Sequence, residues 1–482
     1  MLYHVLLILY LALVLSAAVV IVLENRPPVK TVAWILSLFF LPVLGLAVYL
    51  LFGRRRHRWQ LISRAGAIQL ARRAAYRFYR SSVPDIPEEH YRLIYLFRRQ
   101  SAAYLYPNNR TDVFMSGGEM FAELLKDIQA ARHHVHVESY IIEDDEVGRS
   151  LSDALIAKVR EGVQVRLIYD DVGCWKVPSS FFRKMREAGV DVRAFLPVRF
   201  AKFTPRVNFR NHRKIVVVDG VVGYVGGMNL ARRYVTGDAG KPVWRDTHLR
   251  LQGNAVQGLQ RAFLADWYVA ADELVIDSCY FPKEEQGVWC REPEREPEGR
   301  KVSLQIVTSL PTSRWSDIMQ GMVLALMRAK RYCYIQTPYF LPTERFLFAM
   351  QTAAFSGVDV RLMIPEWADR RLLTYASRSY LLDVMRAGVR VYLYQGAFLH
   401  AKTWVSDDSL ASCGSTNIDF RSFENNFEVN AFLYDKKVAL AMKRQFLADA
   451  KKCYLLNLDS LASRARWHRK LESFIRVLAP LL

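Results

Sequence analysis

Residues Leu2 to Leu23 form an almost unbroken apolar run, and Val32 to Phe52 form a second of similar length. Each suffices for a helix across the hydrocarbon of a bilayer, which takes roughly 20 apolar residues. The segment between them, ENRPPVKT at residues 24–31, is short and carries two prolines, so the two runs read as a membrane hairpin. A cleavable signal peptide is the competing reading of the first run, but its start, MLYH, has no Lys or Arg before the apolar stretch. Directly after the second run stand Arg54, Arg55, Arg56 and Arg58, outnumbering the two basic residues of the loop. The positive-inside bias then places everything after residue 53 on the cytoplasmic side.

Beyond residue 110 the pattern changes to short β-branched runs alternating with amphipathic stretches, the rhythm of an α/β fold. It also repeats. REGVQVRLIYDD (160–171) matches FSGVDVRLMIPE (355–366), KMREAGVDVRAF (184–195) matches VMRAGVRVYLY (384–394), and HVHVESYIIEDD (134–145) corresponds to YCYIQTPYFLPT (332–343). The charged, proline-bearing REPEREPEGRK (291–301) excludes core strand and regular helix and reads as the seam between two halves. The predicted organisation is a two-helix anchor (1–53), a basic helical segment (54–110), a first half (111–292) and a second half (293–482).

Within this repeat lies the chemistry. NHRKIVVVDGVVGYVGGMN supplies His212, Lys214, Asp219, Gly226, Gly227 and Asn229, and HAKTWVSDDSLASCGSTN supplies His400, Lys402, Asp407, Gly414, Ser415 and Asn417 at the same internal spacings. Residues two apart on a strand share a face, so each H-x-K frame can bring an imidazole and an ammonium to one small anion. Asp219-Gly220 between apolar runs is a hairpin signal. A two-residue turn there sets Gly227 opposite His212, and the same register sets Ser415 opposite His400; a slip of one residue still leaves a small residue beside each histidine. In this reading Asp219 and Asp407 are turn or support residues, with a direct chemical role as the alternative. The two histidines and two lysines supply a nucleophile, a proton for a leaving alkoxide and positive charge around phosphoryl oxygens, so phosphodiester exchange needs neither metal nor cofactor. Asn229, Ser415 and Asn417 are the candidates to help hold the phosphate.

These residues resemble the paired HKD motifs of the phospholipase D superfamily, and the resemblance extends from about Asp112 to the C-terminus. It implies two α/β/α sandwich halves forming one pseudo-two-fold catalytic unit, with His212, Lys214, Asp219, His400, Lys402 and Asp407 as the catalytic set. The first-motif histidine is more often the nucleophile in that superfamily, although nothing in this sequence distinguishes His212 from His400. Each imidazole needs an acceptor on its far nitrogen. Glu428 in SFENNFEVN fits the glutamate that superfamily members place behind a motif histidine and is assigned to His400, while Asp246 in WRDTHLRLQG is assigned to His212. The anchor, WRDTHLRLQGNAV and STNIDFRSFENNFEVN resemble the bacterial cardiolipin synthases in particular. That resemblance implies transfer of a phosphatidyl group between two phosphatidylglycerols at the inner membrane, with no nucleic-acid partner. Other phosphatidyltransferases, a hydrolase and a membrane-tethered nuclease use the same six residues and are the alternatives.

The net charge of +20 over 482 residues implies an anionic partner without choosing among lipid surface and nucleic acid. Arg72, Arg73, Arg77 and Arg80 recur at helical spacing, fitting either anionic headgroups or a solvated face. The insertion RFAKFTPRVNFR before the first histidine places Arg199, Lys202, Arg206 and Arg210 among phenylalanines, as a lipid-surface candidate, with a nucleic-acid groove or a solvated loop as the alternatives. The amphipathic terminus SRARWHRKLESFIRVLAPLL reads as interfacial or as ordinary core packing on the second half. The six cysteines show no metal-ligand spacing and no pairing pattern.

Overall fold

The computed structural model describes residues 2–24, 28–49, 88–198, 208–238, 240–282, 302–464 and 466–479. The expected sites Arg199, Lys202 and Arg206, the arginines between residues 54 and 80, and the seam at 291–301 lie outside these residues. The chain divides into two compact units, residues 1–60 with 198–209, and residues 61–197 with 210–482.

In the first unit a helix covers Leu2–Leu23. The second apolar run is divided into helices Pro28–Phe40 and Pro42–Val48. Pro42 has no N–H to donate and pushes Leu41 out of helical geometry, to φ −127° and ψ 70°. Ile21, Leu38 and Tyr49 are buried together. Among the described residues no helix is long and apolar enough to cross a membrane. The second expected span is broken at Leu41 rather than continuous.

The second unit holds the duplication. Its first half carries strands β1 (Leu105–Phe114), β2 (His134–Ser139), β3 (Gln164–Asp170), β4 (Asp191–Phe195), β5 (Arg210–Asn211), β6 (Lys214–Val218), β7 (Val222–Gly226) and β8 (His248–Gln252). The second half carries β9 (Val302–Ser309), β10 (Tyr332–Gln336), β11 (Phe340–Leu341), β12 (Asp359–Pro365), β13 (Arg390–Tyr394), β14 (Thr403–Ser406), β15 (Leu410–Gly414), β16 (Ile418–Asp419), β17 (Asn426–Leu433) and β18 (Cys453–Leu455). Away from the junction, the first half runs β1-β8-β7-β6-β2-β3-β4 and the second β9-β17-β15-β14-β10-β12-β13, followed by β18. This is the same order twice. Antiparallel pairing of β1 with β9 fuses the two into one mixed sheet.

Burial explains the composition. β2, β6 and β7 are buried at every position, as expected of central strands covered on both faces, and each half has its own apolar core. Covering helices begin at side-chain caps, such as Asp145 before Glu146–Arg160 and Asp435 before Lys436–Ala450. The boundary expected at residue 110 falls inside β1. Helix Tyr91–Ser101, expected within the basic segment, buries Leu93 and Phe97 in the second half's core and exposes Arg92, Arg98 and Arg99.

The motif hairpins are offset by one residue from the expected register. Val218 pairs with Val222 and Ser406 with Leu410, so each turn has three residues, and Ile215 pairs with Val225. Asp219, Asp407 and Asp408 adopt φ of 53°, 50° and 60°, a left-handed conformation that short polar side chains tolerate. The Asp219 carboxylate accepts hydrogen bonds from the backbone N–H groups of Arg132, His133 and His134 at 2.8, 2.8 and 2.9 Å. Asp407 does the same with Lys330, Arg331 and Tyr332 at 2.7, 2.8 and 3.0 Å. Each aspartate thus ties its hairpin to the start of the neighbouring strand, at the end remote from the histidine, an arrangement that fits the turn or support role read from the sequence. Asp219→Asn, which loses one charged acceptor, should lower stability by about 1–3 kcal/mol. In thermal unfolding and turnover assays it should leave far more activity than a histidine substitution; equal loss of activity would refute the structural role.

Candidate active site

The strand leading to each histidine begins on the opposite half. β5 pairs in parallel with the start of β17, Arg210 with Asn426 and Asn211 with Phe427, and His212 N–H donates to Phe427 O at 3.0 Å. In the equivalent place Arg245 N–H donates to Phe398 O at 2.9 Å, and His400 N–H donates to Arg245 O at 2.7 Å. Each imidazole therefore meets a carboxylate from the other half. His212 Nδ1 lies 3.1 Å from both oxygens of Glu428, and His400 Nδ1 lies 2.6 Å from Asp246 Oδ2. This reverses the pairing expected from the sequence, in which Glu428 served His400 and Asp246 served His212. The crossover places the carboxylate that follows one motif behind the histidine of the other.

Small residues make these contacts possible. A side chain at Gly227 would overlap the Asp246 carboxylate. At the matching place in the second half, Ser415 Oγ donates to Glu428 Oε2 and accepts from Val429 N–H at 3.0 Å. Asn426 Nδ2 donates to the other Glu428 oxygen at 3.2 Å. Glu428 is thus held by hydrogen bonds on both oxygens.

Two lysines complete the centre. Lys214 Nζ donates to His212 O at 2.6 Å; Lys402 Nζ contacts His400 O and lies 2.8 Å from His400 Nδ1. Both are buried, and neither forms an ion pair among the described residues. Burial pushes the Lys214 ammonium down to about 7, with repulsion from Lys402 adding to it, and burial pushes Lys402 down to about 8. Burial also lowers both imidazoles, His212 against the opposing pull of Glu428 and His400 with added repulsion from Lys402 and Lys214. Burial would raise Glu428, but the His212 charge and hydrogen bond hold it below the usual carboxylate range. Asp246 is raised by burial despite Lys402. Two buried ammonium groups with no ion-pair partner among the described residues suit a phosphodiester anion.

Of the remaining expected residues, Asn229 and Ser415 are engaged by the protein through their side chains and Asn417 through its backbone N–H. Asn229 Oδ1 accepts from Ile141 N–H at 3.2 Å, and its Nδ2 donates to Tyr234 OH at 2.7 Å. Ser415 is committed to Glu428, and Asn417 N–H donates to Ser422 Oγ at 3.2 Å. These placements favour support over direct phosphate contact for Asn229 and Ser415. Arg210, expected on the lipid surface, is buried, and its NH1 lies 3.4 Å from Asp170. That expectation is corrected, because the buried Asp170 carboxylate also accepts from Asn211 N–H at 2.9 Å and keeps the guanidinium inside.

Sequence reading missed several neighbours. Tyr234 OH lies 3.3 Å from His400 Nδ1, and Tyr140, Trp244 and Phe398 place rings 5.0–5.8 Å from the two imidazoles. Buried Arg213 reaches Asp266, Glu428 O and Ser309 O, bracing the crossover from behind. Asp170 had a signal: it aligns with Pro365 in the internal repeat, a break in an otherwise close match.

A duplicated α/β sheet that sets two H-x-K frames in one buried, carboxylate-braced centre defines a phospholipase D-like phosphodiester-transfer enzyme. Comparisons agree. A family model described as "Cardiolipin synthase, PLD-like domain" matches residues 124–267 and 322–450, and one described as "Phospholipase_D-nuclease N-terminal" matches residues 12–54. The chain is 40% identical over 481 residues to the major cardiolipin synthase ClsA of Bacillus subtilis (strain 168), covering 97% of both chains. It is 38% identical over 488 residues to the cardiolipin synthase of Oceanobacillus iheyensis, covering 98% of both. The crystal structure of phosphatidylserine synthase from Haemophilus influenzae Rd KW20 shares the fold, with a TM-score of 0.61 at 12% identity over 81% of this chain and 98% of that one. The chain belongs to the cardiolipin synthase family of phospholipase D-like phosphatidyltransferases.

The depressed lysines give a pH test. They are charged below about 7 and 8, so a bound oxyanion should hold best there and raise their affinity for protons. Tungstate affinity measured by calorimetry should fall as pH rises from about 7 to about 9. Affinity that stays flat across that range would refute the lysines as the anion-holding groups.

Proposed function

We propose that the protein transfers a phosphatidyl group from one phosphatidylglycerol to the glycerol of another through a phosphohistidine, releasing glycerol. The observation that carries this reading is the pair of imidazoles whose Nδ1 atoms are held by carboxylates, leaving the Nε2 atoms for chemistry beside two buried ammonium groups. His212 Nε2 attacks phosphorus, the bond from phosphorus to the glycerol oxygen breaks, and that oxygen takes the proton of His400 Nε2. The second phosphatidylglycerol then loses a hydroxyl proton to His400 and displaces His212, which breaks the P–N bond. Lys214 and Lys402 stabilise the charge on the phosphoryl oxygens.

Both rings are oriented for these roles. Among the described residues His212 Nδ1 faces the carboxylate of Glu428, so its hydrogen belongs there and the Nε2 lone pair points to the chemistry. At His400 the hydrogen on Nδ1 likewise faces Asp246, and the acid that protonates a leaving alkoxide is the ring carrying a second hydrogen on Nε2. The tautomers follow from the partners of each nitrogen. His212→Ala and His400→Ala should each lower turnover by at least about a thousandfold. Phosphatidylglycerol alone, in vesicles containing chelator, should yield cardiolipin and glycerol in equal amounts. Phosphatidic acid as the sole product would favour a hydrolase, and DNA cleavage without lipid turnover would favour a nuclease.

The apolar N-terminal runs support a two-span anchor in the bacterial cytoplasmic membrane, with the catalytic unit on the cytoplasmic side and phosphatidylglycerol and other anionic lipids as partners. This placement rests on the length of the runs and the arginines from Arg54 to Arg58. An impermeant label added outside intact cells should reach only the loop at residues 24–31. Labelling beyond residue 53 from that side would overturn the topology.

A further inference from the structure

Apolar side chains stand in solvent around the mouth of the site, where neither core accounts for them. By the internal repeat, the loops following β3 and β12 are equivalent, and each presents a tryptophan: Trp175 is 73% exposed and Trp367 is 55% exposed. The Trp175 loop starts at Asp170, which binds the backbone next to His212. The Trp367 loop reaches Asp369, which accepts from Tyr339 OH at 2.8 Å; Tyr339 packs on Phe398, and Phe398 lies beside His400.

The C-terminal helix, Arg466–Leu478, continues this surface. One side buries Ile475 against the second half's core, and Arg476 NH1 donates to Asp383 at 2.7 Å and to Ser379 O at 3.1 Å, fixing the helix along Arg371–Arg386, the helix that follows the Trp367 loop. The other side leaves Trp467 60% and Phe474 69% exposed, with Val477, Arg469 and Lys470 also exposed. Seven residues are nearly two turns, so Trp467 and Phe474 face the same way. The helix is therefore both things its sequence suggested: it packs with one stripe and offers another. Tryptophans beside exposed lysine and arginine, on a chain of net charge +20, match the composition that settles at a bilayer's headgroup boundary and is attracted to anionic lipid.

We infer that the mouth of the site docks on an anionic bilayer surface through Trp175, Trp367 and the outer face of the C-terminal helix. Both halves then contribute one tryptophan to the rim, and the two histidines open toward the headgroups from which both substrates come. The inference rests on the reading that the substrates are membrane lipids, and adds which face meets them. It also separates this face from exposed apolar residues elsewhere. Phe355 is 73% exposed, as much as Trp175, but it precedes β12 at the end remote from Trp367.

The test uses the full chain in nanodiscs of phosphatidylcholine and phosphatidylglycerol, with the photo-crosslinker p-benzoylphenylalanine replacing Trp175, Trp367, Phe474 or Phe355 singly. Irradiation should give lipid adducts by mass spectrometry at the first three positions, at least about fivefold above Phe355. Equal adducts at Phe355, adducts only between protein chains, or no lipid adducts at the rim would overturn the inference. These positions are exposed, so unchanged melting temperatures are expected. As a second measure, the double variant Trp367→Ser/Phe474→Ser should lose about tenfold in turnover on vesicles and less than about twofold on substrate dispersed in detergent. Undiminished turnover on vesicles, or equal loss in both, would count against docking. The adduct readout needs no turnover, so a chain unable to convert phosphatidylglycerol would refute the substrate reading while the adducts still judged the docking face.

Discussion

The active centre depends on one exchange between the halves: each histidine-bearing strand starts beside the other half's carboxylate. Without the pairing of β5 with β17 and the Arg245–Leu399 contact, Glu428 and Asp246 would have no imidazole and the imidazoles no acceptor. Either half alone holds an H-x-K frame but not the group that orients it. The duplication is therefore functional as well as architectural, since the chemistry requires both copies in register.

That exchange makes burial of so many charges tolerable. Removing a histidine, a lysine and a carboxylate from water costs more than isolated pairing returns, unless the remaining hydrogen-bonding capacity is also met. Here Ser415 and Asn426 satisfy Glu428, Thr247 N–H donates to Asp246 at 2.7 Å, and Arg213 and Arg245 anchor the surrounding backbone through Asp266 and Asp449. The lysines are the deliberate exception. They keep positive charge in a low-dielectric site without a carboxylate of their own, which leaves them available to a phosphoryl group.

The motif hairpins show how local and global constraints divide. Asp219 and Asp407 occupy left-handed turn positions and collect three backbone donors each, so they fix where the hairpin attaches and leave the imidazole to the opposite end of the strand. The motif's three named residue types thus do two jobs at two ends of one strand.

Much of this was legible in the sequence because it is local or repeated. Periodicity and the internal match gave the α/β class and the two halves; the doubled H-x-K spacing marked the imidazoles and ammonium groups, since residues two apart share a strand face; and an aspartate before glycine marked the turn. What tertiary structure alone decided was non-local. Which carboxylate serves which histidine follows from strands meeting across more than 150 residues of chain, and the burial of Arg210 from its contact with Asp170, 40 residues away. A sequence records which groups each half brings, but the pairing between them is set by how the two sheets join, and no spacing along the chain encodes that distance.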